Sequence, residues 1–244
     1  MRILSVLIFL SGTIIPVNMA HAAGPFDIGV EASVISSYQW RGAPFNDDPV
    51  LQPSITAGYG GLSLNLWGSI DLTDYQNKRY SLSELDYTLT WAHSLPFGEL
   101  TAGSATYSYP GVEDGEPTTE LMAGFEAGLP LSPSLSLFRD IDKADGMYVL
   151  LGAGGSIYTR LLPSVDVSAS LGWGSKKHNI YYYGIDGMDG SLTDAAVTIG
   201  LPFSIGKTVS VAPHANYLLR IDKKMRDKFE RGCLAWGLTV AGEF

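Results

Sequence analysis

The sequence predicts an all-β protein that forms a single antiparallel transmembrane β-barrel of about 12 strands. Three observations predict it. Apolar and polar side chains alternate with a period of two, short turns alternate with longer loops, and aromatic residues collect at the predicted strand ends. The composition agrees, because 28 Gly and 13 Tyr accompany only 17% charged residues, a balance that favours strands and turns over surface helices.

The first residues predict an export signal. Arg2 supplies a positive charge, residues 3–15 are mostly apolar, and residues 20–22 form an A-x-A cleavage signal. We therefore expect residues 1–22 to be a cleaved secretory signal peptide and residues 23–244 to be a barrel in the bacterial outer membrane. Later segments fall short of the roughly 20 apolar residues that a membrane-spanning helix needs.

The first predicted strand covers residues 26–41 and has two distinct faces, because successive side chains of a strand point to opposite sides. One face carries apolar side chains, namely Phe26, Ile28, Val30, Ala32, Val34, Tyr38 and Trp40. The other face carries Asp27, Gly29, Glu31, Ser33, Ser37, Gln39 and Arg41. Ile35 is the only large side chain that breaks this alternation.

The same alternation continues along the chain. It recurs in residues 51–59, 62–71, 84–91, 165–173, 193–201, 209–217 and 234–244. Weaker strands are predicted near 99–109, 119–128, 134–140 and 147–157, where small residues blur the two faces. The total is an even number of strands, as bacterial single-chain barrels require.

The connections and the aromatic residues orient the predicted barrel. Short periplasmic turns are predicted at 60–61, 94–97, 129–133, 158–163 and 202–206, and the longest extracellular loops at 175–190 and 220–231. Aromatic residues predicted at periplasmic strand ends are Phe26, Tyr59, Trp91, Phe203 and Phe244. Those predicted at outer ends are Tyr38, Trp40, Trp173, Tyr217 and Trp236. Two such girdles are typical of membrane barrels.

The inward face of the barrel is predicted to be acidic. Candidate lumen-lining residues are Glu31, Arg41, Asn65, Glu84, Asp86, Glu120, Asp166, Asp194 and His214. Arg41 is the one clear base among them, and an acidic lining favours cations over anions. The alternative is that these carboxylates only hydrate the lumen or bond to neighbouring strands. Inward Trp67 and Met122, with pairs between Arg41 and acids, are candidates to constrict a barrel of this size.

The net charge of the chain and the basic residues of its last predicted loop indicate which binding partners to expect. The formal net charge of −9 argues against nucleic acid, which binds basic surfaces. Arg220 and the last predicted loop form a basic group, and the candidates for contact with lipopolysaccharide phosphates are Lys223, Lys224, Arg226 and Lys228. The alternative is a solvated loop, because acids such as Asp227 are interspersed. Outer-membrane lipid is the other expected partner.

The sequence predicts no catalytic, cofactor-binding or metal-binding residues. His214 shares a strand face with Ser210 and Asn216, but no strained turn presents a nucleophile. His178 falls in a predicted loop, and the spacing of the histidines suggests no metal site. The single Cys233 excludes an intramolecular disulfide. We expect no cofactor and no enzyme activity.

Several short motifs resemble those of the uncharacterised proteobacterial TorF-type porin family. They are the segments 36–42, 49–53, 64–69, 107–111, 119–121 and 140–148, which read SSYQWRG, PVLQP, LNLWGS, YSYPG, TEL and DIDKADGMY. The resemblance spans most of the predicted mature chain. It implies an outer-membrane barrel with a transport role and without established catalytic residues.

The leading interpretation is a porin that gives passive passage to small hydrophilic solutes, with a preference for cations. A second is a closed structural barrel, or one that contacts lipopolysaccharide. A third is a barrel enzyme that modifies lipids. Neither the solute nor the oligomeric state is indicated by the strand pattern.

Overall fold

A computed structural model describes residues 26–75, 79–112, 115–158 and 164–244. The predicted signal peptide, residues 1–22, lies outside the described residues. The first strands are β1 (Phe26–Ile35), β2 (Tyr38–Trp40), β3 (Ala43–Asn46), β4 (Val50–Tyr59), β5 (Leu62–Asp71), β6 (Leu82–Leu95) and β7 (Gly98–Ser108). They are followed by β8 (Thr118–Ala127), β9 (Ser134–Asp140), β10 (Met147–Ile157), β11 (Val165–Gly174) and helix α1 (Lys176–Tyr183). The last elements are β12 (Ser191–Gly200), β13 (Phe203–Ile205), β14 (Val209–Arg220), helix α2 (Lys223–Lys228) and β15 (Gly232–Glu243).

The strands close into an antiparallel barrel of 12 strands. The ring runs β1, β4 to β12, β14 and β15, with β15 pairing back to β1 and β12 pairing directly to β14. Strand β13 is a short addition beside β14, and β2 and β3 form a separate hairpin. Closure gives each barrel strand two neighbours, so its backbone groups are paired without water. The predicted fold class and strand number are confirmed.

The two ends of the barrel differ. At one end, here called the turn end, short connections such as 60–61 and 96–97 join β4 to β5 and β6 to β7. At the opposite end, here called the loop end, the connections are longer and include β2, β3, α1 and α2. The alternation of short turns with long loops is therefore confirmed.

The period-two alternation of each strand separates an apolar outer face from a polar inner face. Val30 and Val34 of β1 expose 44% and 46% of their surface, and most of the other long strands carry similarly exposed apolar side chains. Between them, Ser33 turns inward and its hydroxyl bonds to that of Thr239 at 2.7 Å. An exposed apolar belt around a closed barrel is the face that lipid covers.

The aromatic residues at the turn end lie where the sequence places them. Phe26 and Tyr59 are paired across β1 and β4, and both side chains are exposed at that end. At the loop end Tyr217 and Trp236 are exposed, but the prediction is wrong for Tyr38 and Trp40. Their side chains are buried inside the barrel, because the chain leaves the wall before reaching them.

Strand β1 ends at Ile35 and does not continue to residue 41. Ser36 marks the exit: its amide donates to the carbonyl of Trp236, and its hydroxyl accepts from the Trp236 amide at 3.0 Å. The chain then enters the barrel as the β2–β3 hairpin. Ile35 is the inward apolar side chain that breaks the alternation, and it packs into the apolar cluster that covers this hairpin.

Both of the longest loops contain helices. Ser175 caps α1 by accepting from the amide of His178, and Gly184 ends it in the left-handed conformation with a φ of 58°. Asp222 caps α2 through the amides of Lys224 and Met225. No helix of the described residues is long and apolar enough to span a membrane.

Candidate functional site

The β2–β3 hairpin turns at Arg41 and Gly42, inside the loop-end half of the barrel. Trp40 pairs with Ala43, so the loop has two residues, and their φ angles are 48° and 84°. Two successive positive φ values define a type I′ hairpin turn, whose twist suits the flanking strands. Glycine adopts this conformation freely, whereas arginine does so at a cost of about 1 kcal/mol or more. Other contacts must therefore hold Arg41 in place.

The guanidinium of Arg41 makes a bidentate pair with Glu120 on β8. Its two terminal nitrogens donate to the two carboxylate oxygens at 2.7 and 2.8 Å, and the Tyr107 hydroxyl donates to the same carboxylate at 2.8 Å. Both partners of the pair are buried. Burial opposes the charge on Arg41, but the Glu120 carboxylate raises its pKa above the ordinary value. Two parallel hydrogen bonds of this kind fix the geometry of the pair.

Aromatic rings enclose the same guanidinium. Its central carbon lies 4.3 Å from the ring centre of Trp40, 4.2 Å from that of Phe138 and 4.6 Å from that of Tyr148. Phe138 and Tyr148 belong to β9 and β10, which form the wall facing the hairpin tip. Cation–π contacts of this kind are stronger where water is excluded.

Further contacts tie the hairpin to the last third of the chain. The Tyr183 hydroxyl of α1 donates to the carbonyl of Arg41 at 2.7 Å. Arg220 of β14 donates through Nε to the carbonyl of Gly42 and through a terminal nitrogen to Gln39, each at 2.7 Å. The hairpin thus contacts β14, two strands from its attachment at β1, as well as β8 to β10 on the opposite side of the ring.

Helix α1 packs against the hairpin. His178 is fully buried, and its ring stacks on those of Trp40 and Tyr148 with centroids 6.3 and 5.1 Å away. The Tyr182 hydroxyl donates to Asp140 at 2.8 Å. Outside the barrel, Lys177 bonds to Asp145 in the β9–β10 loop. We call β2, β3 and α1 together the lumen plug.

An apolar layer joins the plug to the wall strands. Its buried members are Ile35, Tyr38, Trp40, Val50, Trp67, Ala105 and Tyr107, with Met122 packed against them. The rings of Tyr38 and Trp67 are 5.7 Å apart at their centroids. Trp67 and Met122, the predicted constricting residues, both belong to this layer.

The predicted lumen-lining residues fall into three groups. The structure brings Arg41 and Glu120 together in the pair, and Asp194 lies beside the hairpin tip, where it accepts from the Tyr148 hydroxyl at 3.0 Å. Glu84 and Asp86 lie side by side on β6. Glu31, Asn65, Asp166 and His214 lie apart on β1, β5, β11 and β14; Asp166 accepts from Ser156 at 2.6 Å and Asn65 donates to Thr56 at 2.8 Å.

Arg220 was predicted in the extracellular loop, and that prediction is wrong. It is the last residue of β14, its side chain is buried, and it is a second inward base beside Arg41. Its position follows the strand alternation, since Leu218, Asn216 and His214 share its face. His178 was expected in an open loop, and it is instead a buried part of the plug. The segment KKHNIYYY has no apolar stripe that would have predicted a packed helix.

Two of the four predicted lipopolysaccharide contacts hold the loops together. Lys228 donates to the carbonyls of Tyr183 and Gly184 at 2.7 and 2.9 Å, and Lys224 donates to that of Gly187 at 2.6 Å. Lys223 pairs with Asp227 within α2, and Arg226 bonds to a carbonyl of the same loop.

No group of three or more His, Cys, Asp or Glu side chains that could hold a metal ion occurs in the described ranges.

A closed antiparallel barrel with an apolar outer face is the architecture typical of outer-membrane β-barrels. A model of a bacterial family of unknown function, Gcw_chp, matches residues 19–133. A search of curated proteins found no match. The resemblance to TorF-type porins stays a prediction.

Solved structures with similar folds include several barrels. The translocator domain of the autotransporter NalP from Neisseria meningitidis is 11% identical, has a TM-score of 0.45, and is covered over 91% of its length by 93% of this chain. For OccK5 (OpdH) of Pseudomonas aeruginosa the identity is 12% and the TM-score 0.40, with 90% of this chain and 67% of that chain covered. Outer-membrane expressed OmpT of Vibrio cholerae is 8% identical and has a TM-score of 0.40, with 91% of this chain and 99% of that chain covered. The likeness concerns the fold alone.

Proposed function

We propose that this protein is an outer-membrane channel of the porin type for small cations, with a passage that the lumen plug closes in the conformation described. The observation that carries the proposal is the origin of the blocking residues. A barrel that is closed for structural reasons can be filled by side chains of its own strands. Here a hairpin and a helix from loop-end connections occupy the interior, and such segments can withdraw without opening the strand ring.

The charges of the interior support cations as the permeant ions. Buried acids in the described part of the chain are Asp71, Glu84, Asp86, Glu120, Asp140, Asp166 and Asp194, and buried arginines are Arg41 and Arg220. Arg41 is neutralised by Glu120. Withdrawal of the plug would therefore leave a passage whose walls carry excess negative charge, which favours cations in a narrow, low-dielectric space.

Conductance of the purified protein in planar lipid bilayers tests this function. We expect rare openings of the wild-type protein and more frequent ones for Arg41→Ala and Glu120→Gln, since each variant removes one side of the pair that anchors the hairpin. Arg79→Ala is the control, because its ion pair with Asp74 is exposed and lies outside the plug. In a KCl gradient, the reversal potential of the open channel should show that K⁺ passes more readily than Cl⁻. Anion preference would contradict the proposal.

A second candidate is a closed barrel without conductance, and the dense packing of the interior favours it. In that case Arg41→Ala would lower stability without producing openings. A barrel of this kind could still contact lipopolysaccharide through Lys223 and Arg226 at the loop end. If neither Arg41→Ala nor Glu120→Gln produces current steps, and both barrels are shown to be folded, the closed barrel is favoured over the channel.

A further inference from the structure

Glu84 and Asp86 form an acidic pair on the inward face of β6. They are two residues apart on one strand, so both side chains point to the same side, and they expose only 3% and 1% of their surface. Asp86 interacts electrostatically with both Glu84 and Glu120. The nearest inward base, Arg41, is already bound to Glu120 through both terminal nitrogens.

The oxygen atoms of this pair are largely without partners. Within the described ranges, Oε2 of Glu84 and both carboxylate oxygens of Asp86 are buried and accept no hydrogen bond. One hydrogen bond joins Glu84 to Tyr38 of the plug. Other buried carboxylates differ: Glu120, Asp140 and Asp194 each accept bonds from two or more groups.

A neutral side chain adds an unpartnered oxygen at the same place. Ser69 of β5 lies directly opposite Glu84 in the strand register, so its hydroxyl points to the same side. This hydroxyl oxygen is buried and has no hydrogen-bond partner among the described residues. Two carboxylates and a hydroxyl thus lie on one patch of wall, here called the β5–β6 patch, defined by Ser69, Glu84 and Asp86.

Electrostatics requires something to neutralise this patch. Burying a carboxylate without a partner costs several kcal/mol, so such a group either takes up a proton or binds a cation. A proton on each acid would neutralise the charges, but it would leave most of the acceptor oxygens unused. A cation with two positive charges would neutralise both acids and use the acceptors together.

We propose that the β5–β6 patch binds one hard divalent cation, with Ca²⁺ as the best match. All its donors are oxygens, and Ca²⁺ accepts 6–8 oxygen ligands in flexible geometry. Glu84 and Asp86 supply the charge, Ser69 supplies a neutral ligand, and water fills the remaining positions, as it commonly does around Ca²⁺. The inference deepens the proposed channel, because the patch lies on the wall of the proposed passage and beside Tyr38 of the plug.

Calcium titration of the full-length barrel in detergent, monitored by calorimetry after removal of metal with EDTA, tests the site. We expect saturable binding of one Ca²⁺ per chain at neutral pH. Glu84→Gln and Asp86→Asn should each weaken binding about tenfold or more, as ligand changes commonly do. Asp166→Asn is the matched control, since Asp166 is an equally buried inward acid that already has a partner in Ser156. K⁺ at the same concentrations should produce no saturable heat.

Three results would overturn the proposal: no Ca²⁺ binding by the wild-type barrel, binding that survives both substitutions, or a K⁺ isotherm equal to that of Ca²⁺. Infrared spectra of the wild-type protein give an independent check that requires no variant to fold. The carbonyl band of buried carboxylic acid should disappear when Ca²⁺ is added, and a band that persists unchanged would show that protons neutralise the pair. Conductance separates the two proposals, because a closed barrel can bind Ca²⁺ and a channel can conduct without this site.

Discussion

Among single residues, Arg41 makes the most varied contacts inside the barrel. It stands in a backbone conformation that arginine rarely adopts, and it bonds to a carboxylate while three aromatic rings surround it. A buried ion pair adds little to stability compared with an apolar pair of similar size, but removal of one partner leaves the other charge buried without compensation. The role of Arg41 is therefore to specify where the hairpin tip sits.

The first prediction concerns this pair. Arg41→Ala should lower the free energy of unfolding by about 3–5 kcal/mol, because Glu120 is then buried without its cation. Exchange of both residues, as Arg41→Met with Glu120→Leu, should cost less than Arg41→Ala alone. Urea unfolding of the barrel in lipid vesicles measures both. Arg139→Ala, which removes an exposed pair, should change stability by about 1 kcal/mol or less. If the losses of unfolding free energy for Arg41→Met alone and Glu120→Leu alone add up to the loss for the double exchange, the two residues are not coupled and the prediction is wrong.

The second prediction concerns His178, which lies in α1 outside the spanning strands. Burial, helped by the positive charge of Arg41, lowers its pKa well below the usual 6.5. The unfolded chain takes up a proton at this histidine below about pH 6.5 and the folded chain does not, so stability falls as the pH falls, by up to about 1.4 kcal/mol per pH unit. His178→Phe should remove that part of the slope of unfolding free energy against pH. The control is His93→Gln, which removes an exposed histidine near the turn end. A slope that is the same in His178→Phe as in the wild-type protein would contradict the prediction.

At the scale of elements, the β2–β3 hairpin is packed inside a ring of strands to which it does not itself belong. The third prediction tests how tightly its tip fits. A side chain at Gly42 would lie 2.8 Å from the methyl carbon of Met225 and 3.2 Å from Cβ of Asp194. Gly60, in the β4–β5 turn, also has positive φ but nothing within 4 Å of an added Cβ. Gly42→Ala should therefore destabilise the barrel more than Gly60→Ala, by about 1 kcal/mol or more. Thermal unfolding followed by gel mobility measures the difference, and equal losses would mean that the tip is loosely packed.

The elements also differ in how far the sequence predicts them. The wall strands are predictable because lipid outside and polar groups inside impose a period of two. The period of two does not reveal the hairpin, because Tyr38 and Trp40 continue the alternation of β1 although they lie outside the wall. Two signals were available: the inward Ile35, which requires an apolar interior, and the Arg41-Gly42 pair, which suits a tight turn. The partners of Arg41 could be named only as acids on other strands, because the choice of Glu120 depends on how far the hairpin reaches.

At the scale of the whole molecule, the barrel has one continuous apolar outer surface. The fourth prediction tests its contact with lipid by comparing two positions on β5. Leu66 lies in the middle of the strand and Leu62 at its turn end, and both are exposed. Leu66→Arg should cost about 2–4 kcal/mol and Leu62→Arg about 1 kcal/mol or less, because charge is costly at the bilayer centre and tolerated near its edge. Vesicle refolding titrations measure both, and equal costs would contradict membrane insertion at this depth.

The long-range contacts of the hairpin also determine when, during folding, the barrel interior becomes filled. The hairpin follows the first strand, yet Arg41 and Glu120 are 79 residues apart, and Arg220 is 178 residues from Gly42 and 181 from Gln39. Such distant pairings form late, because the intervening chain must first be ordered. During assembly the acidic interior therefore stays hydrated until β14 arrives. Sealing of the lumen is then among the last folding events, and it reports that the strands up to β14 are in register.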